Sequence, residues 1–292
     1  MSESAAGADD IVVRPVAGAL GAAVSGLDLN DLDGARYAHN RRALDEHMVL
    51  VFRGQSLDLA GQKAFTRRFG EICRVPFVEP MAEDPDIIAV LKEADERGIA
   101  NFGGDWHSDF SCLERPPMGS ILHAVEVPPC GGDTLWANMC LAYQALSEGM
   151  KRLLAPLRAI HTGRPYGTKA ELKVPNPSRS IRIARNDPAA DLDTPHPIVR
   201  VQPQSGRRAL YVNPIYTSHI DGLTHEESRP LLSFLYRHAT RPEFTCRHRW
   251  RAGDVVVWDN RVTLHYALND YDGQRRLLHR TTIAGERPIG VQ

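Results

Sequence analysis

His107 and Asp109 stand two residues apart in the run Gly104-Asp105-Trp106-His107-Ser108-Asp109. On an extended chain the side chains at i and i+2 leave the same face, so this spacing predicts an imidazole nitrogen and a carboxylate oxygen aimed into one space, beside Trp106 and Phe110. Those groups are two legs of a metal site. His-x-Asp alone is a weak motif, equally compatible with a surface pair or a packed core histidine. A third ligand stands far downstream, His265, in the run Asp259-Asn260-Arg261-Val262-Thr263-Leu264-His265-Tyr266. Two imidazoles and one carboxylate can occupy one face of an octahedron and leave three positions open, which suits non-haem Fe(II). Zinc accepts the same three ligands, so ligand type leaves both metals open.

Arg276 and Arg280 follow closely after His265. A 2-oxo acid can chelate a metal through its ketone and C1 carboxylate, and its far carboxylate then needs a cation. Arginine's planar fork holds a carboxylate bidentately. On a strand, Arg276, Leu278, Arg280 and Thr282 share one face, so both guanidiniums can look into one cavity. The plainer alternative is that Arg275, Arg276 and Arg280 are solvated charges on an edge strand.

The elements that must position these groups are short. Ile11 to Leu29 reads as short strands with glycine turns, Asp31 to Glu46 as a polar helix, and Met48 to Phe52 as a buried strand. Leu59 to Phe69 has helical spacing and stops at Gly70. Strands are expected at Ile87 to Leu91, Gly119 to Val125 and Thr134 to Ala137, with a turn at Pro128 to Asp133. Met139 to Leu157 reads as one helix with Ala142, Leu146, Met150, Leu153 and Leu157 on a stripe. Thr162 to Arg208 carries seven prolines and little periodicity, the character of a lid or binding loop inserted at about 162–208, or else of a disordered insertion. Ala209 to Val212 is a strand, and Thr224-x-x-Glu227 is a capping box opening a helix in which Pro230 predicts a kink or a later start. Asp254 to Trp258 and Arg276 to Ile283 are the last strands. Many short strands with a few helices predict a mainly β, α+β architecture: a double-sheet jelly roll with helical cover.

At 292 residues the chain can bury a large core, and 42% hydrophobic with 24% charged residues is ordinary for a globular enzyme. A formal net charge of −1 gives no basic field for nucleic acid. No run approaches the ~18 apolar residues of a membrane span. Five cysteines without a C-x-x-C pair argue against a zinc-thiolate site or a disulfide framework. With no signal-peptide pattern in Met1 to Asp10, the expected compartment is the cytoplasm. The expected partner is a small-molecule substrate, with no nucleic acid and no membrane, and a homo-oligomer is allowed.

Trp106-His107-Ser108-Asp109, Gly131-Gly132-Asp133-Thr134 and the blocks from Trp258 to Arg280 together resemble the signatures of the Fe(II)/2-oxoglutarate dioxygenases related to taurine dioxygenase and 2,4-dichlorophenoxyacetate dioxygenase. The resemblance runs in order from about Val13 to Pro288 and is weakest over Thr162 to Arg208. It implies a single dioxygenase domain over 1–292 with a double-stranded β-helix core, cupin-like. It further implies His107, Asp109 and His265 as iron ligands, and Thr134 and Arg276 on the far carboxylate of 2-oxoglutarate. Arg280 would face both 2-oxoglutarate and an anionic group of the substrate. Fe(II), 2-oxoglutarate and O₂ are the implied cofactor and cosubstrates. Tyr166 and Tyr216 fall near positions where the family places substrate contacts. A histidine and a tyrosine that bind substrate in the taurine enzyme are matched here by Val75 and Val78, and an asparagine by Gly103.

The expected activity is hydroxylation of a small organic anion, a carboxylate or sulfur oxyanion with an apolar or aromatic body, coupled to oxidative decarboxylation of 2-oxoglutarate to succinate and CO₂. Three rivals stand beside it. A zinc hydrolase would need a general base near a metal-bound water and gives Thr134 and Arg276 no role. A non-catalytic jelly roll that binds a small molecule has no use for a complete ligand set. A halogenase leaves the carboxylate position open, and Asp109 fills it. Among the other histidines, His123 is expected in the core, and His161, His196, His219 and His225 at the surface or in the lid. Asn260 and Arg261 are expected to brace the His265 loop.

Overall fold

The computed structural model describes residues 11–31, 33–168 and 180–291. Its centre is a seven-stranded sheet in the order Val12–Pro15, Ala22–Ser25, Val49–Phe52, Val255–Asp259, Gly119–Glu126, Arg276–Ile283, Ile88–Lys92. Val255–Asp259 shows how this sheet is buried on both sides. Alternate residues leave opposite faces, so Val255 and Val257 join the helices Gly34–His47 and Leu59–Phe69 through Leu44, Phe65 and Phe69. Val256 and Trp258 face the other way, onto Trp136.

Trp136 belongs to the facing sheet Thr245–His248, Thr134–Asn138, Thr263–Ala267, and its ring lies 5.8 Å from that of Trp258. Two sheets face to face with helices outside make a jelly roll, a mainly β fold of the double-stranded β-helix type. Two further three-stranded sheets extend it. One orders Thr217–Ile220, Arg158–His161, Thr194–Pro197, and the other Arg208–Leu210, Val199–Val201, Ile289–Gly290.

Local chemistry accounts for most boundaries. Asp33 and Asp58 cap the first two helices by accepting from Arg36 N and Gly61 N. Thr224 and Glu227 form the expected capping box, and the helix His225–Ala239 runs unbroken across Pro230, with neither the later start nor an interruption. The expected helix over Met139 to Leu157 is two helices, Met139–Gln144 and Glu148–Leu154. Ser147 accepts from Met150 N and restarts the second, and Leu153, expected on the buried stripe, is 52% exposed. The proline-rich tract is also more regular than expected at its end, where Thr194–Pro197 and Val199–Val201 are strands. Thr194–Pro197 is an edge strand, where proline's missing N–H is tolerated. Positions 169–179 of that tract lie outside the described residues.

Candidate metal centre and anion pocket

His107 and Asp109 converge, but not by strand alternation. His107 makes a single antiparallel bridge with His265, through His107 N to His265 O at 3.0 Å and His265 N to His107 O at 2.8 Å. The chain then turns at Asp109 and Phe110, the latter at φ 46°. Asn260 makes that turn possible: its Oδ1 accepts from Asp109 N at 2.7 Å and its Nδ2 donates to Asp109 O at 3.0 Å. Asn260 thus holds the Asp109 backbone more directly than it holds the His265 loop. Arg261 instead pairs with buried Asp259, Nη2 to Oδ2 at 2.7 Å.

The three side chains are buried, and their ligand atoms lie within 4.8 Å of one another. Asp109 Oδ1 is 3.5 Å from His107 Nε2 and 3.6 Å from His265 Nε2. His107 Nδ1 lies 2.7 Å from Asp105 O. A carbonyl only accepts, so Nδ1 carries a proton and Nε2 is the nitrogen turned toward Asp109. Burial, reinforced by His107, holds His265 well below the ordinary imidazole value and therefore neutral. Burial alone would raise Asp109, but the Arg280 guanidinium beside it holds the carboxyl well below the usual range. Two imidazoles and an ionised carboxylate are the donor set a divalent cation takes.

Asp109 Oδ2 is taken by the protein. Arg280 Nη2 lies 2.8 Å from it, and Ser120 Oγ donates to it at 3.0 Å. Only Oδ1 remains for a metal, so three protein donors leave coordination positions free. Ser120, Leu122, Arg276, Leu278 and Arg280 line up because the register pairs Leu122 with Arg280 and Ser120 with Thr282 on adjacent strands.

A small cavity opens beside the triad, lined by Thr134, Arg276, Arg280, Gly103, Phe102 and Leu278 among others, with His107 and His265 in its wall. Arg276 is 4% exposed, its Nε reaches no acceptor, and it forms no ion pair among the described residues. Burial draws its guanidinium below the ordinary value. A buried unpaired cation facing a cavity is costly unless an anion enters. Gly132 makes room for it: at φ +68°, a Cβ there would sit 3.0 Å from Arg276 Cδ. Gly103, at φ +78°, closes on the metal side, where a Cβ would come 3.2 Å from His107 Cε1.

The remaining candidates fall elsewhere. Val75, Val78, Tyr166 and Tyr216 do not line this cavity; they pack in an apolar cluster with Phe110, Cys112 and Ile181. The Tyr166 and Tyr216 hydroxyls stand 3.1 Å apart, and burial pushes both phenols up. His123 is buried as expected. His161 and His196 are buried too, against the surface expectation, because strand pairing of Arg158–His161 with Thr194–Pro197 carries them inward against Tyr211. His219 is half-buried and His225 exposed. Ser120 and Trp250 were not anticipated. Alternation along Gly119–Glu126 would have placed Ser120 opposite the arginine face, whereas Trp250 follows a strand in an irregular segment and gives no periodic signal.

No helix among the described residues is long and apolar enough to cross a membrane. Residues 13–282 match the family described as "Taurine catabolism dioxygenase TauD, TfdA family". The chain is 39% identical over 284 residues to an alpha-ketoglutarate-dependent sulfate ester dioxygenase of Pseudomonas putida, covering 97% of this chain and 92% of that protein. It is 35% identical over 289 residues to an alpha-ketoglutarate-dependent 2,4-dichlorophenoxyacetate dioxygenase of Cupriavidus pinatubonensis, covering 94% and 98%. The crystal structure of AAD-2 in complex with Mn(II) and N-oxalylglycine superposes with a TM-score of 0.77 at 30% identity, covering 95% of this chain and 98% of that one. N-oxalylglycine differs from 2-oxoglutarate (alpha-ketoglutarate) by an N–H in place of one methylene. A buried His/Asp/His set beside a buried arginine without an ion pair among the described residues, in a chain matched over nearly its whole length, leaves one conclusion: the protein belongs to the TauD/TfdA family and is a non-haem iron dioxygenase that uses Fe(II), 2-oxoglutarate and O₂.

Proposed function

We propose that this dioxygenase hydroxylates a small organic anion, a carboxylate or sulfur oxyanion on an apolar or aromatic body. His107, Asp109 and His265 hold the iron, Thr134 and Arg276 hold the far carboxylate of 2-oxoglutarate, and Arg280 faces the anionic group of the substrate. The observation that carries this reading is the buried Arg276 guanidinium, without a carboxylate partner among the described residues, lining one cavity with His107 and His265. A zinc hydrolase has no use for that cation.

The bound iron with its cosubstrates supplies the oxidising power for the C–H bond. The chain supplies geometry and exclusion of water. His107 and His265 present their Nε2 atoms, and Asp109 presents one oxygen because Arg280 and Ser120 hold the other. Arg276 fixes the length of the acid that fits, since its position sets the reach from the metal to the far carboxylate. Arg280 lines the cavity, and its guanidinium is the cation offered to a substrate anion.

The domain is single over 1–292. The described part of the 162–208 tract before Thr194 contributes Tyr166, Ile181 and Ala190 to the apolar cluster around Phe110, while the aryl or alkyl body would lie against Phe102, Leu122 and Leu278 in the cavity wall. The relatives named above are a sulfate ester dioxygenase and a 2,4-dichlorophenoxyacetate dioxygenase, which supports an organic anion as the substrate class. With a sulfate ester, hydroxylation at the carbon bearing the ester oxygen gives a hemiacetal sulfate that collapses to an aldehyde and sulfate. The test is a panel of alkyl sulfates, aryloxyacetates, sulfonates including taurine, and uncharged analogues, scored by succinate release and product mass under Fe(II), ascorbate and air. Each added methylene is worth about 0.8 kcal/mol, or about fourfold in affinity, until the pocket fills. Strong preference for taurine, or equal turnover of the uncharged analogues, contradicts the reading.

A further inference from the structure

Trp250 stands behind the anion pocket and does not line it, yet it touches both groups assigned there to the far carboxylate. Its Nε1–H donates to Thr134 Oγ1 at 3.0 Å, with both residues buried, and its ring centre lies 5.9 Å from the Arg276 guanidinium carbon. Tyr271 flanks Arg276 at 5.8 Å. Trp250 is itself held in place. His248 meets it edge to face, with centroids 4.7 Å apart and planes at 87°. His248 Nε2 donates to Asp254 Oδ2 at 3.1 Å, and the same oxygen accepts from Arg251 N at 2.8 Å and pairs with Arg53.

A threonine hydroxyl has one proton to donate and two lone pairs to offer. An indole N–H can only donate, so one Thr134 lone pair is committed to Trp250 and the hydroxyl cannot turn its proton that way. We propose that Trp250 is a positioning residue for 2-oxoglutarate: its indole N–H orients the Thr134 hydroxyl so that the hydroxyl proton points at the far carboxylate, opposite the Arg276 fork. This rests on the assignment of Thr134 and Arg276 to that carboxylate. A hydroxyl that already accepts a hydrogen bond is also a stronger donor, because linked hydrogen bonds polarise one another. The device selects for an acid with a second carboxylate at the correct reach. It contributes nothing to an acid that carries only the chelating end.

The test compares two acids on Fe(II)-loaded enzyme by anaerobic calorimetry. 2-Oxoglutarate carries the far carboxylate, and 2-oxopentanoate keeps the same chelating end with a methyl group in its place. Trp250→Phe keeps the ring body and removes the N–H. It should weaken 2-oxoglutarate about 3- to 10-fold, the worth of one neutral hydrogen bond, and leave 2-oxopentanoate unchanged. The loss should vanish in a Thr134→Val background, since the effect runs through the Thr134 hydroxyl. Trp250→Leu, a second variant without the N–H, should show the same ordering of the two acids. Equal losses for both acids, no loss for either, or losses that simply add to those of Thr134→Val overturn the inference. If Thr134→Val and Arg276→Ala also leave the ratio of the two affinities unchanged, the carboxylate assignment itself falls. A changed ratio in those variants with an unchanged one in Trp250→Phe removes only the role given to Trp250.

Discussion

Arg280 Nη2 lies 2.8 Å from Asp109 Oδ2, on the side of that carboxylate turned away from the two imidazoles. Together with Ser120 it leaves a single aspartate oxygen for a metal and keeps a cation next to the triad. Arg280→Gln removes the charge while keeping a hydrogen-bond donor. Breaking one side of a desolvated charge pair costs about 2–5 kcal/mol, so kcat/KM for an anionic substrate should fall about 30- to several-thousand-fold. Turnover of an uncharged analogue should fall much less. A parallel drop for both would show that Arg280 serves only Asp109.

Arg276→Ala should raise the Kd for 2-oxoglutarate about 30- to several-thousand-fold, because the far carboxylate then enters a buried pocket without its cation. Arg276→Lys should recover part of that loss, since charge returns without the fork. Calorimetry on the Fe(II) enzyme checks both, and wild-type affinity in Arg276→Ala would show that the carboxylate binds elsewhere.

Gly103→Ala tests how tightly the metal side is packed. Position 103 has φ +78°, and a Cβ there would stand 3.2 Å from His107 Cε1. The left-handed backbone costs a residue with a Cβ about 1–2 kcal/mol, readable in urea melts. The contact pushes on a ligand ring, so Fe(II) affinity should fall as well. A variant with normal iron affinity would mean that His107 shifts without consequence.

Much of the site was legible because it lies on regular strands. Arg276, Leu278 and Arg280 alternate inward along Arg276–Ile283 with the predicted boundaries, since period-2 alternation is local information. The convergence of His107 with Asp109 was right for the wrong reason: a one-residue bridge and an Asn260 clamp do what strand alternation was expected to do. Nonlocal contacts decided the errors. The Met139 to Leu157 stripe held a cap at Ser147 that competes with helix continuation. His161 and His196 looked like loop residues because their strands are short and that of His196 is proline-rich, and only pairing between them shows that both are buried.

That burial has a pH consequence. His196 is pulled down to about 4 by burial, against an ordinary value of 6.5, and His161 is also lowered by burial. Both are neutral in the fold, while the unfolded chain takes up protons below pH 6.5. The stability they leave intact is therefore fully present above pH 6.5 and is lost as pH falls toward their folded values. For His196 the loss approaches about 3 kcal/mol near pH 4. Urea melts across this range should show the decline, and His196→Gln should flatten it. An equally steep decline in that variant would place the titration elsewhere.

The central claim is that His107, Asp109 and His265 hold the Fe(II) of a 2-oxoglutarate-dependent oxidation. Its most direct measurement is anaerobic Fe(II) titration of the wild type and the three single alanine variants, followed by O₂-dependent succinate formation with a turned-over substrate. The wild type should bind one Fe(II) per chain and release one succinate per product, and Zn(II) should not replace the iron. Each variant should remain folded, bind iron far more weakly and fall to background turnover. Wild-type iron affinity in any one variant, or full turnover with Zn(II) and no 2-oxoglutarate, would contradict the account.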